Sequence, residues 1–145
     1  MKFIHHECLK SWFRGKRLKK RNQNVLTFFW ENLECELCKT PYPCETKSAD
    51  GKELFNVIEY DIPASKLGEQ DYFIVFESLS TSSSKVIHVV IFKSLSRLYF
   101  GRNPDADIKV TDLSVSRVHA FVFRTSDGYF YISDNHSKFG TEILV

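Results

Sequence analysis

The sequence has no apolar run of the roughly 20 residues that a bilayer-spanning helix needs. Its opening, Met1-Lys2-Phe3-Ile4-His5-His6, lacks the apolar core of a secretory signal. The expectation is therefore a chain with neither a helical membrane span nor a cleaved leader. Cysteine is missing from everything after Cys44: all four cysteines, Cys8, Cys35, Cys38 and Cys44, fall in the first third. A disulfide-stapled secreted domain spreads its cysteines through the fold. Clustered cysteines beside histidines read instead as metal chemistry in a reducing compartment, which points to the cytoplasm or the nucleus. A large charge of one sign is lacking too. A formal net charge of +2 gives the chain as a whole no electrostatic footprint for nucleic acid or for a membrane surface. No internal repeat is present.

What the sequence does have is a core's worth of apolar residues: 43% of 145, with thirteen Phe and six Tyr. That length suits one ordinary domain with an appendage. Composition shifts twice, dividing the chain into residues 1–44, a connector over 45–70, and residues 71–145. The first stretch holds every Cys, both Trp and a basic run of Arg14, Lys16, Arg17, Lys19, Lys20 and Arg21. Leu9, Trp12 and Phe13 share a face at helical spacing, which predicts a helix starting near Glu7. Val25, Leu26, Phe29, Trp30 and Leu33 predict a second helical turn or two. The basic run reads as a solvated face, with a nuclear-import signal or phosphate binding as the alternatives. The connector carries one short strand, Leu54 to Tyr60.

From Asp71 onward the texture is β. Tyr72–Glu77, Val86–Phe92, Leu98–Phe100, His119–Phe123 and Tyr129–Ile132 are short apolar runs set between polar punctuators, and Leu79–Ser84 reads as a loop. Asp127-Gly128 between two such runs predicts a hairpin, because its tight turn needs a positive φ that Gly supplies. The fold class read here is mainly β, an antiparallel sandwich with a short helical, Cys/His-bearing N-terminal segment.

Three stretches sit at strand ends of that β half. Gly101-Arg102 follows Leu98-Tyr99-Phe100. Ser114-Val115-Ser116-Arg117-Val118-His119 comes next, then Asp134-Asn135-His136-Ser137-Lys138-Phe139-Gly140-Thr141. Loops at one end of a sandwich cluster in space, so two Arg, one Lys and several hydroxyls can converge there. Guanidinium forks, hydroxyls and loop amides together suit a dianionic phosphate. Taken singly, Arg102 and Arg117 read as solvated surface charges. Ser116 and His119 do not read as a hydrolase dyad, since no nucleophile elbow or orienting carboxylate accompanies them. His88 and His136 read as ordinary strand or surface residues.

In order and spacing, Phe100-Gly101-Arg102, Asp107-Ile108, Ser116-x-x-His119 and Ser137-Lys138-Phe139-Gly140-Thr141 resemble the motif set of the forkhead-associated (FHA) family, over about residues 71–145. The resemblance implies that Arg102 and Ser116 bind phosphate, that Arg117 and Lys138 assist, and that the partner is a phosphothreonine-containing protein. Gly101, His119, Gly140 and Thr141 take structural positions, with His119 holding the binding loops by hydrogen bonds. Phe139 stands where the family usually has an Asn that bonds the ligand backbone. The family usually adds two closing strands after this point, so the expectation is a sandwich truncated near Val145 or completed by another segment.

His5-x-x-Cys8 and Cys35-x-x-Cys38 have the spacing of metal knuckles, in which a tight turn aims two donors at one tetrahedral ion. They allow one closed zinc site, with His6 or Cys44 as substitutes, or reduced structural thiols. Residues 3–43 resemble the C-terminal half of a RING-variant finger. In that family the two pairs serve different zinc ions, leaving each site half-filled here, and Trp12 takes the position that contacts a ubiquitin-conjugating enzyme. Against this, Trp12 reads as a buried aromatic anchoring a helix. Two explanations stand: the chain starts inside a RING, or the RING has decayed and its helices pack on the sandwich through Leu9, Phe13, Phe29 and Trp30.

Three functions follow as expectations. The first is a phosphothreonine-reading adaptor. The second is a ubiquitin ligase whose substrate the sandwich selects, which needs a complete RING in a longer product. The third is a structural interaction module with a degenerate phosphate site. Composition argues against membrane and nucleic-acid partners.

Overall fold

His6–Lys16 (α1) is the one helix among the described residues, and it forms where the periodicity places it. Glu7 in its first turn and Arg14 and Lys16 in its last complement the helix dipole. Leu9 and Phe13, four apart, form its buried stripe. Phe13 lies in the last turn, where carbonyls have no partner within the helix. Its carbonyl instead accepts a hydrogen bond from the buried Trp30 indole, Nε1 to O 3.0 Å. Glu59 adds a polar clamp, accepting from Lys10 at 2.8 Å and Arg14 at 2.7 Å. Those two bonds hold the Glu59 carboxyl below its ordinary range.

The computed structural model describes residues 5–48, 50–62, 68, 71–79, 84–92 and 97–144. It is mainly β. The strands are β1 (Leu18–Arg21), β2 (Val25–Trp30), β3 (Glu45–Lys47), β4 (Leu54–Asn56), β5 (Tyr72–Glu77), β6 (Lys85–Phe92), β7 (Arg97–Gly101), β8 (Ile108–Lys109), β9 (Ala120–Arg124) and β10 (Phe130–Asp134). They form two four-stranded sheets, in the orders β1-β2-β6-β5 and β10-β9-β7-β8, and a small β3-β4 pair. The chain separates into two compact units. One comprises Met1–Lys20, Leu26–Ala64 and Val75–Val89; the other comprises Arg21–Val25, Ser65–Ile74 and Val90–Val145. None of the described helices is long and apolar enough to cross a membrane.

The first unit is built around Leu9, Phe13, Leu26, Phe28, Trp30, Leu33, Val57, Ile58, Ile87 and Val89. Val25–Trp30 is a strand here, and not the helical turns expected of it. Leu26, Phe28 and Trp30 are buried while Thr27 and Phe29 are only half-buried, a period of two. Phe29 therefore does not share the face used by Leu9, Phe13 and Trp30. The connector differs as well: Leu54–Asn56 is a strand, the expected continuation to Tyr60 is not, and Glu45–Lys47 pairs with it antiparallel. β6 is buried along most of its length and carries His88. The Nδ1 of His88 lies 2.9 Å from the Thr27 hydroxyl. Burial pushes this imidazole down to about 4.

The basic run is largely committed within the first unit. Arg14 pairs with Glu59, Lys16 with Glu36, and Arg17 with Asp61. Lys19 sits 5.5 Å from the Phe28 ring centroid. β1 stands at the end of its sheet order and is exposed at every position. Its Lys19, Lys20 and Arg21 suit an edge strand that must discourage pairing with other chains.

The second unit holds the site. β9 and β10 form an antiparallel hairpin with Val122 opposite Ile132, and Leu98 of β7 pairs with Val122 on the other side. β8 joins β7 in parallel, with Phe100 opposite Ile108. Leu98, Ile108, Ala120 and Val122 are buried, and Phe92 meets Phe130 edge-on at 5.1 Å. The expected Asp127-Gly128 hairpin is present, but its connection is longer than a two-residue turn. Thr125 closes it at both ends, accepting from Gly128 N at 3.0 Å and donating from its own N to Tyr129 O at 3.0 Å. Gly128 takes φ 95°, the left-handed residue of a turn with a bulge. Most of the loop expected over Leu79–Ser84 lies outside the described residues.

Candidate phosphate-binding site

The site begins with a close approach of two backbones. A Cβ on Gly101 would stand 2.0 Å from the Arg117 carbonyl oxygen, so only Gly lets segment 114–119 lie against the end of β7. That contact is sewn by backbone bonds. His119 N donates to Phe100 O at 2.8 Å, Arg102 N to Ser116 O at 3.0 Å, and Asn103 N to Arg117 O at 3.2 Å. Arg102 is thereby fixed beside Ser116. Its Nε donates to the Val115 carbonyl at 3.3 Å, which runs the guanidinium along the loop that carries Ser116. The terminal nitrogens of Arg102 have no partner among the described residues.

Segment 134–141 supplies the third side. Lys138 N donates to Ser116 Oγ at 3.1 Å. A backbone N–H can only donate, so Ser116 Oγ is the acceptor there, and its own proton is free for a further acceptor. His119 joins the two segments. Ser116 N donates to its Nδ1 at 3.1 Å, and its Nε2 lies 3.2 Å from Gly140 O. With Nδ1 accepting, the ring proton belongs on Nε2 and goes to the Gly140 carbonyl. Asn135 strengthens the seam, its N donating to His119 O at 2.8 Å and its Nδ2 to Val118 O at 3.3 Å.

Thus Arg102, Ser116, the Lys138 amide, His119 and Gly140 meet, with Gly101 beneath them. Arg117 is exposed and contributes a carbonyl to the seam. The Lys138 ammonium lies 5.1 Å from the Phe139 ring centroid, and Phe139 is 65% exposed on the same loop. His136, also exposed, takes a left-handed φ of 49°. Ser116 bonds to His119 through its backbone N, so the pair lacks the hydroxyl-to-imidazole contact of a nucleophile and base.

Two acidic residues that the sequence reading passed over shape these loops. Asp112 accepts from Ser114 N and Ser114 Oγ, both at 2.7 Å. Asp134 accepts from Ser137 Oγ at 2.6 Å, Thr141 Oγ1 at 2.8 Å and Ser137 N at 3.0 Å. The Ser137 hydroxyl above all, then Thr141, holds the Asp134 carboxyl down at about 2. An Asp followed three residues later by a Ser, after a strand, is the signal that could have found it. Both carboxylates are occupied by hydroxyl and amide donors of their own loops. What the junction offers outward is a guanidinium, a hydroxyl proton and an ammonium, the donor set of a phosphate cradle.

Residues 98–143 match the family model of the FHA domain. The matched stretch starts in β7 and contains every residue of this junction. No curated protein and no solved structure matches the chain.

The Cys/His residues lie in the first unit and outside the FHA match. His5 is the N-cap of α1, and Cys8 is exposed on that helix. Cys35 and Cys38 share a turn closed by Lys39 N to Cys35 O at 2.9 Å and Cys35 N to Thr40 O at 2.9 Å. The amides of Cys38 and Leu37 point at the Cys35 thiol and bring it down to about 7. Among the described residues, no group of three or more His, Cys, Asp or Glu is placed to hold a metal ion. Trp12 packs against the core of the first unit, edge-on to Tyr42 at 5.3 Å, with the Lys16 ammonium 4.6 Å from its ring centroid. That is the setting of a helix anchor.

Proposed function

We propose that the second unit is a phosphothreonine-dependent protein-interaction module. The FHA domain is a phosphothreonine-binding interaction module. The observation that supports this reading most is the meeting of Arg102, Ser116 and the Lys138 amide at one junction, joined by Arg102 N to Ser116 O and Lys138 N to Ser116 Oγ. Arg102 gives the phosphate a planar fork of donors and Ser116 its free proton. The Arg117 and Lys138 side chains add charge at the rim. Phe139 offers an apolar ring to the residues beside the phosphothreonine. Such bonds are made to a dianion and have no counterpart with a plain threonine, so binding depends on the phosphate.

The test is retention of a degenerate phosphothreonine peptide library by the wild type and by Arg102→Ala. One charge-assisted bond contributes about 1.5–3 kcal/mol, so the variant loses on the order of 10- to 100-fold in affinity. The matched unphosphorylated library should bind neither protein. Equal retention of the phosphorylated library by both proteins ends this reading.

A further inference from the structure

Asp134 ends β10 and touches none of the groups that face a phosphate. The three hydrogen bonds of its carboxylate all stay within segment 134–141: Ser137 N at 3.0 Å, Ser137 Oγ at 2.6 Å and Thr141 Oγ1 at 2.8 Å. The two residues it grips are the immediate neighbours of two residues that reach segment 114–119. Ser137 precedes Lys138, whose amide donates to Ser116 Oγ at 3.1 Å. Thr141 follows Gly140, whose carbonyl lies 3.2 Å from His119 Nε2. One carboxylate therefore braces two of the points at which this loop meets the phosphate-facing segment, the third being Asn135, whose N donates to His119 O at 2.8 Å.

The loop needs bracing. His136 takes a left-handed backbone conformation, at φ 49°. That conformation is uncommon for a residue with a side chain and holds only where its surroundings fix it. Without the carboxylate, Ser137 and Thr141 lose their common acceptor, and ordering of the loop is left to the moment of binding. With it, the Lys138 amide and the Gly140 carbonyl are in place before a ligand arrives. The carboxylate spends its lone pairs on loop donors, so it does not compete with a phosphate for Arg102.

We infer that Asp134 is a positioning residue for phosphopeptide recognition, holding loop 134–141 in its binding shape through Ser137 and Thr141. This inference rests on the function proposed above, and the experiment separates the two. The probe is the degenerate phosphothreonine peptide library, offered to the full chain as wild type and as Asp134→Asn. Amide hydrogen exchange and thermal unfolding are measured on the same proteins without peptide.

Asp134→Asn should lose tenfold or more in peptide affinity. Its Ser137 and Lys138 amides should exchange at least tenfold faster, while the amides of Val122 and Leu98 and the unfolding midpoint stay as in wild type. A merely structural role moves the midpoint and the strand amides together. Should Asp134→Asn fail to fold, Ser137→Ala and Thr141→Val each remove one donor and leave the carboxylate. Each should then lose affinity with a quickened Lys138 amide. Wild type that retains no phosphopeptide overturns the proposed function and this role with it. Wild type that binds, with variants that bind equally and exchange no faster, overturns the role of Asp134 alone.

Discussion

Gly101 and Arg117 stand so close that a methyl group on the first would lie 2.0 Å from the carbonyl oxygen of the second. The intruding neighbour is backbone, and it is tied down on both sides by Arg102 N to Ser116 O and Asn103 N to Arg117 O. Gly101→Ala must therefore push segment 114–119 away from β7. Overpacking of this kind costs about 1–3 kcal/mol. The same shift carries Ser116 away from Arg102. The expected outcome is a lower denaturant midpoint together with a loss of phosphopeptide affinity. An Ala variant with wild-type stability and binding would show that the two segments are free to part.

The β half was readable because its strands are local patterns. Tyr72–Glu77 is a strand over the span that its aromatic and β-branched run marks, and Val86–Phe92 lacks only Lys85. Val25–Trp30 differs from its expectation because Leu26, Phe29, Trp30 and Leu33 satisfy the i, i+3, i+4, i+7 pattern of a helix, while Leu26, Phe28 and Trp30 satisfy a strand's alternation. What decides the matter is its place beside β6, a pairing between residues some sixty positions apart that no local window contains. The site divides the same way. Gly101, Arg102, Ser116 and His119 were legible as spaced motifs. Why position 101 must be Gly appears only when the Arg117 carbonyl is seen against it. Asp134 escaped because a carboxylate at a strand end reads as surface charge until its three donors are in view.

His88 makes the stability of the first unit depend on pH. Burial lowers its folded-state value from 6.5 to about 4. Between those values the unfolded chain takes up a proton that the folded chain refuses, so stability falls on acidification. The contribution is fully present above pH 6.5 and drains away as the pH drops toward 4. From pH 7 to pH 5 it amounts to about 1–2 kcal/mol, at 1.36 kcal/mol per pH unit near its steepest. Urea midpoints of wild type and His88→Gln measured across this window provide the check. The wild-type curve should fall more steeply, and parallel curves would remove His88 as the cause.

Ser116 carries two duties that substitution can separate. Its oxygen accepts from the Lys138 amide at 3.1 Å, and its proton is left for the ligand. Ser116→Ala removes both the loop's acceptor and the ligand's donor. Ser116→Thr keeps both and adds a methyl group at a half-buried position. The lost ligand bond is charge-assisted, worth about 1.5–3 kcal/mol, so the Ala variant should bind phosphothreonine peptides on the order of 10- to 100-fold more weakly. The Thr variant should retain most of the affinity, and in both the Val122 amide should keep its protection from exchange. If Ala and Thr weaken binding equally, the added or missing bulk at position 116 governs affinity, and the hydroxyl does not reach the phosphate.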